Sequence, residues 1–294
     1  MSTIVKSHSS LVDYIQVLKP RETSLILFIG TCSALVAASF VSSGFPVDSF
    51  ILTVIAIALG SAGANGLTNY LDRDVDARMR RTCNRVLPSK RIEPAGKVLP
   101  MIFTLLVLSL VLAWILSPVC FVIGLVGIIT SAIWRKTISC TFFGIIAGSA
   151  PVLIGWYAIM KQPLFDLMPL LFFCLIMLWT PIHVWTLMIA NRSDYESAGL
   201  HYFPLSWKDS AIVKMLAALS VGLAAVATLA YFLTGRFHLL YFYVATIVSL
   251  VMVSANLRLM FSPSSRNAWT VYKLSAFPYL CIIFTAMALD TWLS

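Results

Sequence analysis

Long apolar runs separated by short polar stretches make up most of the chain. Nine of them approach the roughly 20 mainly apolar residues that a helix needs to cross hydrocarbon. They are Thr23 to Ser43, Ser49 to Tyr70, Val98 to Ser117, Val119 to Trp134 and Phe142 to Met160. Leu167 to Ala190, Ala211 to Leu233, His238 to Ala255 and Leu274 to Trp292 follow. Only Pro118 joins the third to the fourth, and together they are too long for one crossing, so a tight hairpin is predicted. Two polar connections are long, Leu71 to Lys97 and Asn191 to Ser210. Four spans separate them, which predicts two four-helix halves plus a ninth helix, each half carrying its long loop after its second helix. The expectation is a single all-α, polytopic membrane domain over residues 1–294, with 1–22 as an N-terminal segment and 71–97 and 191–210 as functional loops.

Composition agrees. Of 294 residues 60% are hydrophobic and only 11% charged, and the mean hydropathy is +0.90, which excludes a water-soluble fold. The net charge of +9 would suit a nucleic-acid partner in a soluble protein, but here its distribution reads as topology. Counted by alternate loops, nineteen Lys and Arg fall on one side and only Lys161 and Arg236 on the other. Basic loops stay cytoplasmic, so the N-terminus is expected in the cytoplasm and the C-terminus outside, in a cell membrane. The six cysteines are far apart with no metal-type spacing. No cleaved targeting segment is expected.

Charge this scarce marks where chemistry can occur. The second span leaves the membrane as Thr68-Asn69-Tyr-Leu-Asp72-Arg73-Asp74-Val-Asp76. If the helix continues, Asp72 and Asp76 share one face with Asn69 and Thr68, while Asp74 points elsewhere. Like charges at that spacing repel, and a hard divalent cation such as Mg2+ offsets them well. Arg80, Arg81, Arg85, Lys90 and Arg91 follow directly, a set suited to an anion. Acids for a metal beside bases for phosphate, at the mouth of an apolar bundle, fit a diphosphate carried on a lipid. The plain alternative is a solvated loop whose charges pair among themselves. After the sixth span, Asp194 and Glu196 sit at the same membrane level, and across a two-halved bundle they would face Asp72 and Asp76. His183 lies about two turns inside the same span. Such a histidine commonly bonds a neighbouring helix, yet imidazole is also a haem iron ligand.

Asn69-Tyr-Leu-Asp72-Arg73-Asp74-Val-Asp76 with Arg81-Thr82-x-x-Arg85-x-Leu87-x-x-x-Arg91-Ile92 resembles the first signature of the UbiA-type intramembrane prenyltransferases. Leu18-Lys19-Pro20-Arg21-Glu22-Thr23, Arg135-Lys136-Thr137 and Gly144-x-x-x-Gly148-x-x-Pro151 extend the likeness. Thr180-Pro181-x-His183-x-Trp185 and Asp194-Tyr195-x-x-Ala198-Gly199 point to the haem-farnesylating branch. Thr68, Val86, Lys90 and His201 depart from that branch's usual residues, and Ala198 replaces a second acid common in the wider family. The resemblance implies farnesyl transfer from farnesyl diphosphate to a vinyl group of protoheme IX, yielding haem O, with haem as substrate rather than cofactor. It implies one or two Mg2+ held by Asp72, Asp76 and Asp194 with Asn69. Lys19, Arg21, Arg81, Arg85, Arg91, Arg135 and Lys136 would bind the diphosphate, and His183 with Trp185 the haem. A downstream haem-modifying enzyme or terminal-oxidase assembly factors would be partners, and no nucleic acid. Gly144-x-x-x-Gly148 alone reads as helix packing. Rival readings are an aromatic or quinone prenyltransferase, a transporter with its acids along an ion path, and a haem-binding assembly protein.

Overall fold

The computed structural model describes residues 10–133, 139–161, 166–200, 203–206 and 209–293, and the regular elements among them are all helical. A short α1 (Leu11–Val17) precedes α2 (Pro20–Ala38), α3 (Val47–Asp76), α4 (Leu99–Leu116), α5 (Pro118–Ala132) and α6 (Cys140–Met160). Then come α7 (Leu167–Ala190), the short α8 (Arg192–Ser197), α9 (Asp209–Thr234), α10 (Leu239–Phe261), α11 (Ser265–Ala276) and α12 (Pro278–Leu293). Among the described residues, eight helical stretches are long and apolar enough to cross a membrane, α11 and α12 counting as one. The expected count was nine. The remaining element, α5, is apolar but only 15 residues long. That is about 22 Å of helix against roughly 30 Å of hydrocarbon.

Local chemistry sets the breaks. Ser117 is extended, its hydroxyl accepts the Val119 N–H at 3.2 Å, and Pro118 opens α5, so the α4–α5 hairpin forms as expected. The last predicted span starts earlier than its apolar run, at Ser265, and divides at Phe277 where Pro278 offers no N–H. The second span gains length instead, because α3 runs unbroken to Asp76.

Each helix from α2 to α7 packs on the next, then α9, α10 and α12 continue the series, and α12 returns to α2. The Trp292 indole donates to the Leu35 carbonyl at 3.0 Å across that closure. The leading helices of the two halves, α2 and α6, also pack on each other. Their approach is close because both present glycine. A Cβ on Gly155 would lie 2.3 Å from the Gly30 carbonyl oxygen, and the Ser33 hydroxyl donates to the Val152 carbonyl at 2.7 Å. Outward positions such as Val107, Trp114, Ile115, Ile247 and Leu250 are exposed and apolar. Such a belt suits lipid, and on a soluble protein it would drive association.

Candidate active site

The site is built on the end of α3. Asn69, Asp72 and Asp76 lie on one buried face, with Asp72 only 4% and Asp76 only 1% exposed, whereas Asp74 stands out in the open beside Arg73. Asn69 donates its amide to the Val17 carbonyl at 2.7 Å, Asn65 donates to the Thr23 hydroxyl at 2.9 Å, and Lys19 Nζ reaches Thr68 Oγ1 at 3.2 Å. The α1–α2 junction is thereby fastened to the polar end of α3. Lys19 caps α2 in the left-handed region, with φ of 49°. That conformation favours glycine, and its occupation by lysine brings an ammonium to the cavity mouth.

Beyond Asp76 the chain folds back on itself. Thr82 Oγ1 donates to the Asp76 carbonyl at 2.9 Å, and Arg85 Nη1 meets Asp76 Oδ2 at 2.7 Å. The other half enters through α8. Asp194 Oδ1 accepts the Arg80 N–H at 2.6 Å and Oδ2 accepts the Arg81 N–H at 3.1 Å. Arg81 also reaches the Tyr195 hydroxyl, and burial pushes that phenol up from its usual range, an effect Arg81 only partly offsets. Two distant acidic stretches therefore meet on one arginine loop.

They meet differently from the expectation of acids converging on one point. Among the described residues, no three His, Cys, Asp or Glu side chains are grouped so as to hold a metal. The reason is visible in their bonds: Arg85 engages Asp76, and the amides of Arg80 and Arg81 engage both oxygens of Asp194. Glu196 turns away to pair with Arg192 at 3.5 Å. Asp72 and Asp76 remain a buried hard-oxygen pair one turn apart, a donor set that fits Mg2+ completed by water and substrate phosphate.

The basic residues separate into groups. Arg81 and Arg85 border the acids, and Lys19 bonds Thr68, one turn before Asp72. Arg21 lies over the Phe277 ring, 5.3 Å from its centroid. The structure does not bring Arg91 into the set, since it binds Asp13 at 2.8 Å and Gln16 at 3.0 Å and so ties α1 down. Arg135 and Lys136 lie outside the described residues.

A cavity of about 260 Å³ opens below Lys19, Asn65 and Thr68, between α2, α3, α5 and α6. Gly60, Gly124, Gly127, Gly144 and Gly148 line it, with Ile57 and Ile154. The pattern Gly144-x-x-x-Gly148 thus borders this space, and Cβ atoms there would make ordinary contact with Thr180 at 4.0 Å and Ile176 at 3.5 Å. The small residues Ala56, Gly60 and Ala64 at four-residue spacing were the available signal for this space, and the sequence reading passed over them.

His183 and Trp185 turn to different neighbours. Trp185 Nε1 donates to Thr141 Oγ1 of α6 at 3.0 Å and its ring meets Phe203 edge-on. His183 faces α11, where Nδ1 lies 3.1 Å from Ser275 Oγ and the ring stacks on Trp179 and Tyr272 at centroid distances of 4.7 and 4.8 Å.

A helical membrane bundle with buried paired acids, an arginine loop and an apolar cavity defines an intramembrane prenyltransferase. Residues 26–280 match the model of the UbiA prenyltransferase family, and the chain belongs to that family. It is similar to the protoheme IX farnesyltransferase of Desulforudis audaxviator (strain MP104C), with 32% identity over 95% of this chain and 88% of that one. A digeranylgeranylglyceryl phosphate synthase structure superposes with a TM-score of 0.78 at 16% identity, covering 97% of this chain and 99% of that one. A UbiA homologue from Archaeoglobus fulgidus bound to DMAPP and Mg2+ follows with a TM-score of 0.63 at 15% identity, covering 94% and 99%.

Proposed function

We propose that the protein transfers a farnesyl group from farnesyl diphosphate to a vinyl group of protoheme IX, forming haem O. The observation that carries this reading is the arginine loop, bonded to Asp76 of one half and to Asp194 of the other above an apolar cavity. The acceptor rests on the similarity to a protoheme IX farnesyltransferase over nearly the whole chain.

Asp72 and Asp76, with Asn69 beside them, would hold Mg2+, the ion bound in the Archaeoglobus homologue. When bound, it neutralises charge on the departing diphosphate. Arg81, Arg85 and Lys19 add donors to the same oxygens, so the allylic C–O bond breaks with its electron pair leaving on diphosphate. Asp194 keeps two consecutive loop amides in place while this charge develops. The isoprenoid lies among Ile57, Ile154 and the cavity glycines, away from water. The vinyl π electrons form the new C–C bond, and water adds to the resulting cation, its extra proton passing to the released diphosphate or to solvent. No basic side chain is required. His183 is the haem-facing residue in this reading, and Trp185 braces α7 against α6. The arginine-rich end faces the cytoplasm of the cell that bears the membrane, by its excess of Lys and Arg.

The deciding experiment incubates the purified protein with Mg2+, farnesyl diphosphate and protoheme IX and analyses the porphyrin by mass. A farnesylated, hydrated haem is expected. Unmodified haem alongside a prenylated quinone or aromatic acid would transfer the reading to the other branch.

A further inference from the structure

His183 is one ring in a continuous stack. Trp179 lies against it at 4.7 Å and 10°, Tyr272 at 4.8 Å and 26°, and Trp269 continues on Tyr272 at 5.0 Å and 23°. Two flat rings cannot share one face of an imidazole, so both faces of His183 are covered. Its ring is held to α11 as well. The break before Pro278 leaves the last carbonyls of α11 without regular helical partners, and the Trp179 indole N–H fills one of them, the Ser275 carbonyl, at 2.8 Å.

The Ser275 hydroxyl has a single proton. It is fully buried, and the hydroxyl donates to the Tyr272 carbonyl at 2.9 Å. With its proton on that carbonyl, Oγ accepts at His183, 3.1 Å away, and this arrangement selects the tautomer with the proton on Nδ1. Nε2 consequently carries the lone pair. Since that pair lies in the ring plane, the stacked rings do not cover it, and His183 is half-buried.

We infer that Ser275 is a positioning residue that fixes His183 in the Nδ1–H form and presents Nε2 edge-on as the axial ligand of the haem substrate's iron. The inference rests on haem being the acceptor. A hydrogen bond at Nδ1 orients a ligating histidine and raises the basicity of its other nitrogen. The placement also suits transfer, because Tyr272 lies within electrostatic reach of Arg81 and Arg21. A macrocycle on His183 would then border the arginine loop.

The first test reads the wild type itself. Histidine-labelled wild type in detergent is observed by 15N spectroscopy, with the His183 signal identified by its loss in His183→Gln. A protonated Nδ1 and an unprotonated Nε2 are expected, and the reverse overturns the inference. The second loads full-length protein with protoheme and follows the ferrous iron–imidazole stretch by resonance Raman. Ser275→Ala should lower the frequency with haem retained, Ser275→Thr should keep it, and His183→Ala should abolish it. An unchanged frequency in Ser275→Ala refutes the positioning role. An unchanged one in His183→Ala refutes the ligand. Either failure leaves farnesyl transfer by the wild type intact, whereas absence of farnesylated haem in the mass assay overturns that reading separately.

Discussion

Asp194 is where the residue scale matters most, since one carboxylate joins the halves by accepting two backbone N–H groups. Hydrogen bonds to a charged group contribute about 1.5–3 kcal/mol each. Asp194→Ala should therefore loosen the arginine loop and lower kcat/KM for farnesyl diphosphate by about tenfold to hundredfold, measured in steady-state assays at saturating haem. Arg85 and Arg91 offer a sharper contrast. Both belong to one sequence pattern, yet Arg85 bonds Asp76 and Arg91 bonds Asp13. Arg85→Ala is expected to cost about a hundredfold in kcat/KM, on the scale of losing one electrostatic donor to a developing anion. Arg91→Ala should stay within about threefold of wild type in kcat/KM, because its partners Asp13 and Gln16 belong to α1 and not to the paired acids of α3. Comparable losses in the two variants would contradict the geometry. The charges of this loop were plain in the sequence. Their partners were not, because spacing along a chain says nothing of which carboxylate a folded-back loop will meet.

At the scale of elements, the α2–α6 crossing and the cavity beside it depend on the absence of side chains. Gly155→Ala would set a methyl 2.3 Å from a backbone oxygen that cannot swing aside. Overpacking of this kind costs about 1–3 kcal/mol, so a lower unfolding temperature in detergent is expected, with loss of folded protein for larger residues. Gly148 differs, since it lines the cavity and a Cβ there would make only ordinary contact with the Ile176 side chain, at 3.5 Å. Gly148→Ala should spare the fold, narrow the cavity and reduce turnover of farnesyl diphosphate more than that of a shorter allylic diphosphate. Equal effects on both would place the tail elsewhere. Helix-forming runs and their proline breaks were legible in the sequence at this scale, Ser117-Pro118 among them. The extension of α3 to Asp76 was conditional there, because the polar residues that end an apolar run look alike in a helix and in a loop. Burial of that polar face against α1, α2 and the arginine loop is what keeps the helix going.

For the whole molecule, the ring of helices closes where α12 meets α2, and its loops divide by charge. Lys161 and Arg236, the two basic residues set apart by the alternating count, lie at the far ends of α6 and α9, away from the arginine loop. A topology reporter fused at the C-terminus is expected to be active only outside the cell, and one fused within residues 71–97 only inside. A reporter active on the other side would reverse the orientation without altering the bundle. Hydropathy and charge determined the class of the protein, the spans and the charged stretches worth attention, because a bilayer imposes those constraints locally on every segment. Tertiary structure alone decided that Asp194 clamps backbone instead of converging with Asp72 and Asp76, that Arg91 serves α1, that the glycines line a cavity, and that His183 stacks on Tyr272 and meets Ser275. Each of these depends on contacts between residues far apart in the chain, and only packing determines which distant groups satisfy one another.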